Sequence, residues 1–379
     1  MVGRPSGSIT LADIANVAGV SPGTASRALN GRGGVNAETR ERVQEAARRL
    51  GYQPNALARG LLSGRSYTVG LITTDSFGRF SIPIMLGAED ALGAGQMSVL
   101  LCDGRDDPIR ERHYLQTLLE RRVDGIIVTG RRTDPRPPIG TDLGVPVVYA
   151  MTQSTSPEDL SITPDDLQGG ALAVGHLTGT GRRHVAHVTG PERFQAARLR
   201  AQGALTQLEA DGGSLVGGQV FYGEWTEQWG RQAAAMLLDL VSRGAELDAV
   251  FCGNDQIARG MLDILREAGV AVPDDVAVMG FDNWEIIAAA SRPPLTTVDM
   301  DLREVGRVAA ESLLAAIGGN RDRGVRTNPC RLVIRDSTGP GRGIRSSATG
   351  TGRPHADRSP ASSSLIDRSG PKASQRPVR

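Results

Sequence analysis

One pattern governs residues 67–338 and is repeated: a short, wholly apolar and β-branched stretch, then a stretch of helical periodicity. "YTVGLIT", "MSVLLC", "DGIIV" and "VPVVYA" come with helical patterns at 82–94 and 108–122. "HVAHVTG" leads to a helical pattern at 193–211. Another at 227–243 precedes "DAVFCGND", and a third at 256–268 separates that run from "VAVMGFD". Strands apolar on both faces need cover on both faces, and helices between them make the strands parallel. Two such series, split near residue 163, predict two doubly wound subdomains with a cleft between them. Ligands of such sheets sit beyond the carboxyl ends of the strands.

Residues 9–53 are of another kind. In "TLADIANVAGVSPGTASRALNG" an apolar stripe of Ile9, Leu11, Ile14, Ala15 and Ala18 predicts one short helix. Ser21 then stands at an N-cap with Pro22 in the first helical position, where its missing N–H costs nothing. Thr24, Ala25, Ala28 and Leu29 continue a second helix to the stop at Asn30-Gly31. Asn36 opens a third that runs to Leu50, with Gly51 after it. Three helices in some 45 residues, the first two joined by a tight glycine-containing turn, match a helix-turn-helix module. A plain bundle fits less well, because the second helix displays hydroxyls, Arg27 and Asn30 in place of mixed surface charge.

Charge separates the ends from the middle. Residues 1–66 carry about +5 and residues 339–379 about +6, so 67–338 carries about −10 of the net +1. A basic head on an acidic body suits contact of the ends with a polyanion. The segment 339–379 is Ser, Gly, Pro and Arg with almost nothing apolar, and is expected to be disordered. No apolar run reaches the roughly 20 residues of a membrane span, and Met1–Ser8 holds no signal core. The three cysteines, Cys102, Cys252 and Cys330, read as separate buried thiols of a reduced cytoplasm. His184 and His187 lie close together, but no acidic or cysteine partner is near in sequence, so they read as structural. No metal and no cofactor are expected. No nucleophile–base set is visible, and the glycine-rich "GRGGVN" follows a helix, which is wrong for a phosphate loop.

In this order, the motifs resemble the lactose-repressor (LacI/GalR) family of bacterial transcription regulators over about residues 9–338. "TLADIANVAGVSPGTASRALNG" resembles its DNA-reading helices, and "VNAETRERVQEAARRLGYQPNALARGL" its third helix and hinge. "RVDGIIV", "DDLQGGALAVGHL", "VFCGNDQIARG", "VAVMGFDN" and "PPLTTVDMD" resemble its effector domain. The resemblance implies a helix-turn-helix head at 8–53, a hinge at 54–66 and a periplasmic-binding-protein-like body at 67–338. Two subdomains follow, with chain crossovers near 163, 292 and 320, and a basic tail at 339–379. The implied function is that of a cytoplasmic, nucleoid-associated repressor. It would bind a pseudo-palindromic operator as a homodimer, under control of a small effector, a sugar or sugar derivative.

In a helix-turn-helix the second helix presents its N-terminal side chains to base edges. Those positions are Ser21, Pro22, Gly23, Thr24, Ser26, Arg27 and Asn30. Family base readers fall at 22, 23 and 27. Pro22 and Gly23 offer no polar side chain, so direct readout leans on Arg27, which can take guanine O6 and N7 together. Thr10, Thr24, Ser26, Asn30, Asn36 and Thr39 suit phosphates, and Leu11 completes the DNA-facing set. In the hinge, Leu61 matches the family's minor-groove wedge, with Asn55 and Ala58 as its groove-facing neighbours. The tail lacks the leucine heptad of family tetramers, hence a dimer.

For the effector, the resemblance points to Asp282 and Asn254 for ligand hydroxyls and to Arg200 in "RLRAQG" as a guanidinium fork. Trp225 in "GEWT" would stack on a sugar ring. Phe80 and Ser81 fall at the first strand–helix turn. Asp165 matches the acidic position after the crossover, with Asp166 as the competing register, and Asp255 reads as a helix N-terminal acid. Three other readings remain open: an enzyme of the two-lobed type, a periplasmic sugar-binding protein, and a regulator with no effector.

Overall fold

A computed structural model of the chain describes residues 9–29, 33–52, 65–93 and 97–339. The head is three helices, α1 Leu11–Ala18, α2 Pro22–Leu29 and α3 Ala37–Leu50. Local chemistry sets their ends. Thr10 and Asp13 form a reciprocal capping box at α1, Thr10 N donating to Asp13 Oδ2 at 2.8 Å and Asp13 N to Thr10 Oγ1 at 3.3 Å. Gly19, at φ +66°, ends that helix. Ser21 Oγ accepts from Thr24 N at 3.1 Å to start α2, and Asn36 Oδ1 accepts from Thr39 N at 2.8 Å to start α3. Eight-residue helices do not hold alone in water. Here Ile14, Ala15, Ala25, Ala28 and Val43 close a core of mostly small side chains that holds all three together.

The body begins with β1 Thr68–Thr73, α4 Ser81–Ala91, β2 Ser98–Asp103, α5 Pro108–Glu120 and β3 Gly125–Thr129. It continues through β4 Pro135–Arg136, β5 Val147–Ala150, β6 Gln153–Ser154 and β7 Leu160–Pro164. A second series follows: α6 Asp166–Gly179, β8 His184–Thr189, α7 Gln195–Ala210, β9 Ser214–Leu215, β10 Phe221–Tyr222 and α8 Glu227–Ser242. It runs on through β11 Ala249–Cys252, α9 Asp255–Glu267, β12 Ala277–Phe281, α10 Glu285–Ala288 and β13 Thr296–Asp299. The last elements are α11 Leu302–Ile317, β14 Gly324–Asn328 and β15 Arg331–Val333.

Two sheets result. The first runs β14-β7-β5-β3-β1-β2, all parallel. The second runs β10-β8-β11-β12-β13-β15, with β9 beside β8, and only the β13–β15 pair is antiparallel. β3, β11 and β12 are buried at every residue, as parallel strands covered on both faces must be.

The chain changes lobes three times. The first passage is between β7 and α6, at residue 165. The second lies at 300–301, not near 292, because β13 stays in the second sheet, beside β12 through Val298 and beside β15 through Asp299. The third lies at 329–330, not near 320. There α11 packs on β3, β5 and β7, and β14 pairs with β7, which keeps the chain in the first lobe.

Helix pairs on each lobe cross where glycines face backbone. A Cβ on Gly87 of α4 would lie 1.8 Å from Arg303 O, and one on Gly306 of α11 would lie 2.0 Å from Ile84 O. Gly170 and Gly203 make the same crossing of α6 with α7, and Gly230 and Gly260 that of α8 with α9. These helix pairs therefore pack backbone to backbone at their crossings, where a larger residue has no room. No described helix is long and apolar enough to cross a membrane.

Candidate functional site

On the head, Ser21, Pro22, Gly23 and Arg27 are exposed on α2, while Thr24 and Ser26 are partly covered. Arg27 Nε donates to Gly23 O at 3.3 Å, one turn back, which lays the side chain along the helix surface. Thr10, Ser21 and Asn36 are engaged as caps, but all three stay exposed, so their outer faces can still meet a phosphate. Leu11 is half-buried against the head core, and Thr39 lies in the first turn of α3. Asn30, Asn55, Ala58 and Leu61 lie outside the described residues, as does the tail from 340 onward.

The body holds a cleft between the carboxyl ends of the two sheets, with a cavity of about 580 Å³. Phe80, Arg200, Trp225, Asn254 and Asp282 line it. Arg200, on α7, is the hub of its floor. Its Nε donates to Asp166 Oδ1 at 2.8 Å and its Nη1 to Gly253 O at 2.6 Å, with Asp282 Oδ1 at 3.4 Å. The guanidinium lies 3.6 Å from the Phe281 ring centroid and 5.7 Å from that of Trp225. Burial alone would lower its guanidinium, but Asp166 and Asp282 outweigh that and hold it above its ordinary value. Trp225 has its indole against Gly190, where a Cβ would meet the ring at 2.1 Å, so the backbone fixes the plane of the ring.

Asp282 is presented by an unusual loop. It and Asn283 have φ of +99° and +49°, a conformation that branched side chains resist. The loop is pinned at each residue. Asp282 N donates to Val298 O at 2.8 Å, Asn283 accepts from Arg335 Nη2 at 2.9 Å, and Trp284 N donates to Asp255 Oδ2 at 2.6 Å. Asp255 heads α9 but is fully buried, and also accepts from Thr297 Oγ1 at 2.6 Å. Burial, with Asp282 nearby, pushes its carboxyl up to about 7. Burial also pushes Asp282 up, while the Arg79 and Arg200 guanidiniums pull it down. Asn254 caps α9 through Ile257 N at 2.8 Å.

Two expected ligand residues do not reach the cavity. Ser81 is buried beneath it, its N–H donating to Asp75 Oδ2 at 3.0 Å. Asp165 caps α6, accepting from Gln168 N at 2.9 Å. Between the two registers it is Asp166 that turns toward the cleft, under Arg200 and within 3.3 Å of Thr133 Oγ1. A helix start places the cap outward and the next side chain along the axis, and the sequence did not say which was which.

Sequence reasoning missed a group of cleft residues. Asp75 and Arg79 follow β1, Arg131 and Arg132 follow β3, and Gln256 and Trp284 stand beside the expected Asn254 and Asp282. Position after a strand end was the available clue. His184 and His187 are structural. His184 contacts Ser214 Oγ and Glu246, and buried His187 stacks on Phe251 at 4.5 Å, with burial pulling its imidazole down to about 4.

Residues 10–55 match the family model of "Bacterial regulatory proteins, lacI family", and residues 174–338 that of a "Periplasmic binding protein-like domain". The HTH-type transcriptional regulator CelR of Thermobifida fusca is 35% identical over 86% of this chain and 95% of its own. A CelR–cellobiose complex superposes with a TM-score of 0.60 at 31% identity, over 88% of this chain and all of the other. A Lac repressor dimer bound to operator and the anti-inducer ONPF gives 0.68 at 28% identity, over the same shares.

Proposed function

Because the chain belongs to the LacI family of bacterial DNA-binding transcriptional regulators, we propose that it is a repressor whose operator affinity is set by a sugar in the inter-lobe cleft. The observation that carries the reading is the floor of that cleft. Arg200 and Asp282, 3.4 Å apart, line it together with Asn254, and the fixed indole of Trp225 lines it too. That is a set of directed donors and acceptors next to an apolar plate, which suits a polyhydroxylated ring. The relatives solved with sugars include complexes with cellobiose and with ribose, so both belong in the first panel.

On DNA, α2 is the recognition helix, with Arg27 as the base reader and the capped helix starts at Thr10, Ser21 and Asn36 meeting phosphates. One head buries too little for tight specific binding, so two copies act on a pseudo-palindrome. A dimer through the first lobe is supported by Ile82 and Leu86, one turn apart on α4, and by Leu101 on edge strand β2. Each is about 40% exposed. The chain would work in the cytoplasm, on the nucleoid.

The test is selection of genomic fragments by the purified full chain, then titration of the selected DNA under the sugar panel. A pseudo-palindrome whose affinity shifts with one sugar supports both halves. A palindrome indifferent to every sugar ends the sugar assignment and leaves the regulator. No enrichment at moderate salt ends the assignment of α2 as a sequence reader.

A further inference from the structure

Arg79 closes the loop between β1 and α4 in the first lobe, yet its partners stand on the second. Its Nη2 is ion-paired with Asp282 Oδ2, and its Nη1 donates to Gln256 Oε1 at 2.9 Å. The guanidinium lies between two rings, 4.9 Å from Phe80 of its own lobe and 4.5 Å from Trp284 of the other. The pair is largely shielded, with Arg79 12% and Asp282 6% exposed. The second Asp282 oxygen faces Arg200. Both oxygens of the carboxylate assigned to the effector are thus already engaged by the chain itself.

We propose that Arg79 is a displaceable latch: in the ligand-free body it occupies Asp282 in place of the effector and holds the two lobes together until a polyhydroxylated ligand takes that carboxylate. The proposal rests on the effector reading of the cleft. Three observations support it. The latch can leave by its side chain alone: the backbone around it is anchored, Phe80 N donating to Asp75 Oδ2 at 2.7 Å, while Phe77 beside it is 96% exposed and leaves the long guanidinium stem an outlet to solvent. The guanidinium is also incompletely bonded, because its Nε is buried without a partner, so release forfeits less than a full set of bonds. Finally, a shielded ion pair comes close to breaking even against its own desolvation, so neutral hydroxyls that satisfy Asp282 can replace it. Other contacts also span the cleft, among them Asp134 Oδ1 with Gln195 N at 2.9 Å and Arg132 over Phe194 at 5.1 Å. Among the described residues, Arg79 is the cross-lobe contact that competes for Asp282. A ligand offering one hydroxyl, or none, cannot replace a two-pronged donor, so the latch also selects for ligand class.

The experiment compares full-length wild type with Arg79→Met, which keeps the stem over Trp284 and removes the fork, and with Arg79→Lys, which keeps the charge. Amide hydrogen exchange of the ligand-free proteins is read over 74–80 and 282–289, and cellobiose and ribose are titrated as probes. The latch predicts several-fold faster exchange of both segments in Arg79→Met, with Arg79→Lys between. It also predicts about tenfold tighter binding of whichever probe binds the wild type, because the competent state no longer has to be released first. Unchanged exchange overturns it. So does weaker probe binding in Arg79→Met, which would make Arg79 a ligand contact. If neither probe binds any of the proteins, the choice of sugar fails while exchange alone decides the latch. Should the methionine variant not fold, Arg79→Gln takes its place.

Discussion

Arg200→Met tests whether the floor of the cleft is one electrostatic unit. Arg200 is 4% exposed and Asp166 1%, and their 2.8 Å contact is surrounded by protein. Methionine retains most of the packing on Phe281 but strands the Asp166 carboxylate. An uncompensated buried charge costs about 3–5 kcal/mol, and an unpartnered Gly253 carbonyl adds about 1 kcal/mol. Asp166→Asn is milder. Arg200 would keep Gly253 O and Asp282, and losing one charge-assisted bond costs roughly 2 kcal/mol. The double variant leaves no stranded charge at 166, so it should cost about 4 kcal/mol, well short of the sum of the singles. The coupling expected from the cycle is therefore about 2–4 kcal/mol. Urea unfolding followed by tryptophan fluorescence is the assay, since Trp225, Trp229 and Trp284 all lie in the second lobe or at its cleft. Additivity within about 0.5 kcal/mol, or a single-variant loss below about 1 kcal/mol for Arg200→Met, would refute the reasoning.

Asp255, held up at about 7, keeps its proton in the native state after the unfolded chain has released its own. Its contribution is thus complete below about pH 4 and declines toward pH 7, by about 2 kcal/mol between pH 5 and 7. Asp255→Asn should flatten that part of the curve in denaturant titrations at pH 5, 6 and 7, and an equal slope in both proteins rejects the assignment. Gly306→Ala forces a methyl into Ile84 O and should lower stability by about 2–3 kcal/mol, measured by chemical unfolding; a neutral result contradicts the close helix crossing. Arg27→Ala should cost about 1–3 kcal/mol of operator affinity and relax preference at one base pair, read by repeating the fragment selection; a uniform loss across all sequences would make Arg27 a phosphate contact. Trp225→Ala should weaken the bound sugar about tenfold or more while leaving sugar-free operator binding intact, by calorimetry and gel shift. An unchanged sugar affinity would reduce Trp225 to packing on Gly190.

The head was legible because its determinants are local. Thr10 with Asp13, Ser21 with Pro22, and Asn36 with Thr39 all act within three residues. The strands of the two sheets were legible where they are fully buried, since burial on both faces writes a continuous apolar run. β14, "GVRTN", is an edge strand with most of its residues in solvent, so nothing in its composition announces it, and the last crossover was misplaced for that reason. In the cleft, Asn254 and Asp282 were found inside their strand-end motifs, while their neighbours Gln256 and Trp284 and the residues after β1 and β3 were not. Arg79 lies 203 residues from Asp282, and the turn that aims it carries no hint of its partner.

The passage of the chain between lobes also dictates an order of assembly. The second lobe, from α6 to β13, is a nearly continuous stretch and can condense as it leaves the ribosome. The first lobe cannot, although most of it is synthesised earlier. Its α4 and the faces of β3, β5 and β7 wait for α11, and β7 waits for β14, both made some 140 residues or more after β7. During that interval the apolar face that α11 covers stands open, which makes the nascent first lobe the aggregation-prone part of the chain. The last strands, β14 and β15, then finish one sheet edge in each lobe within ten residues of each other. A chain ending before residue 324 would therefore lack an edge strand in both lobes at once.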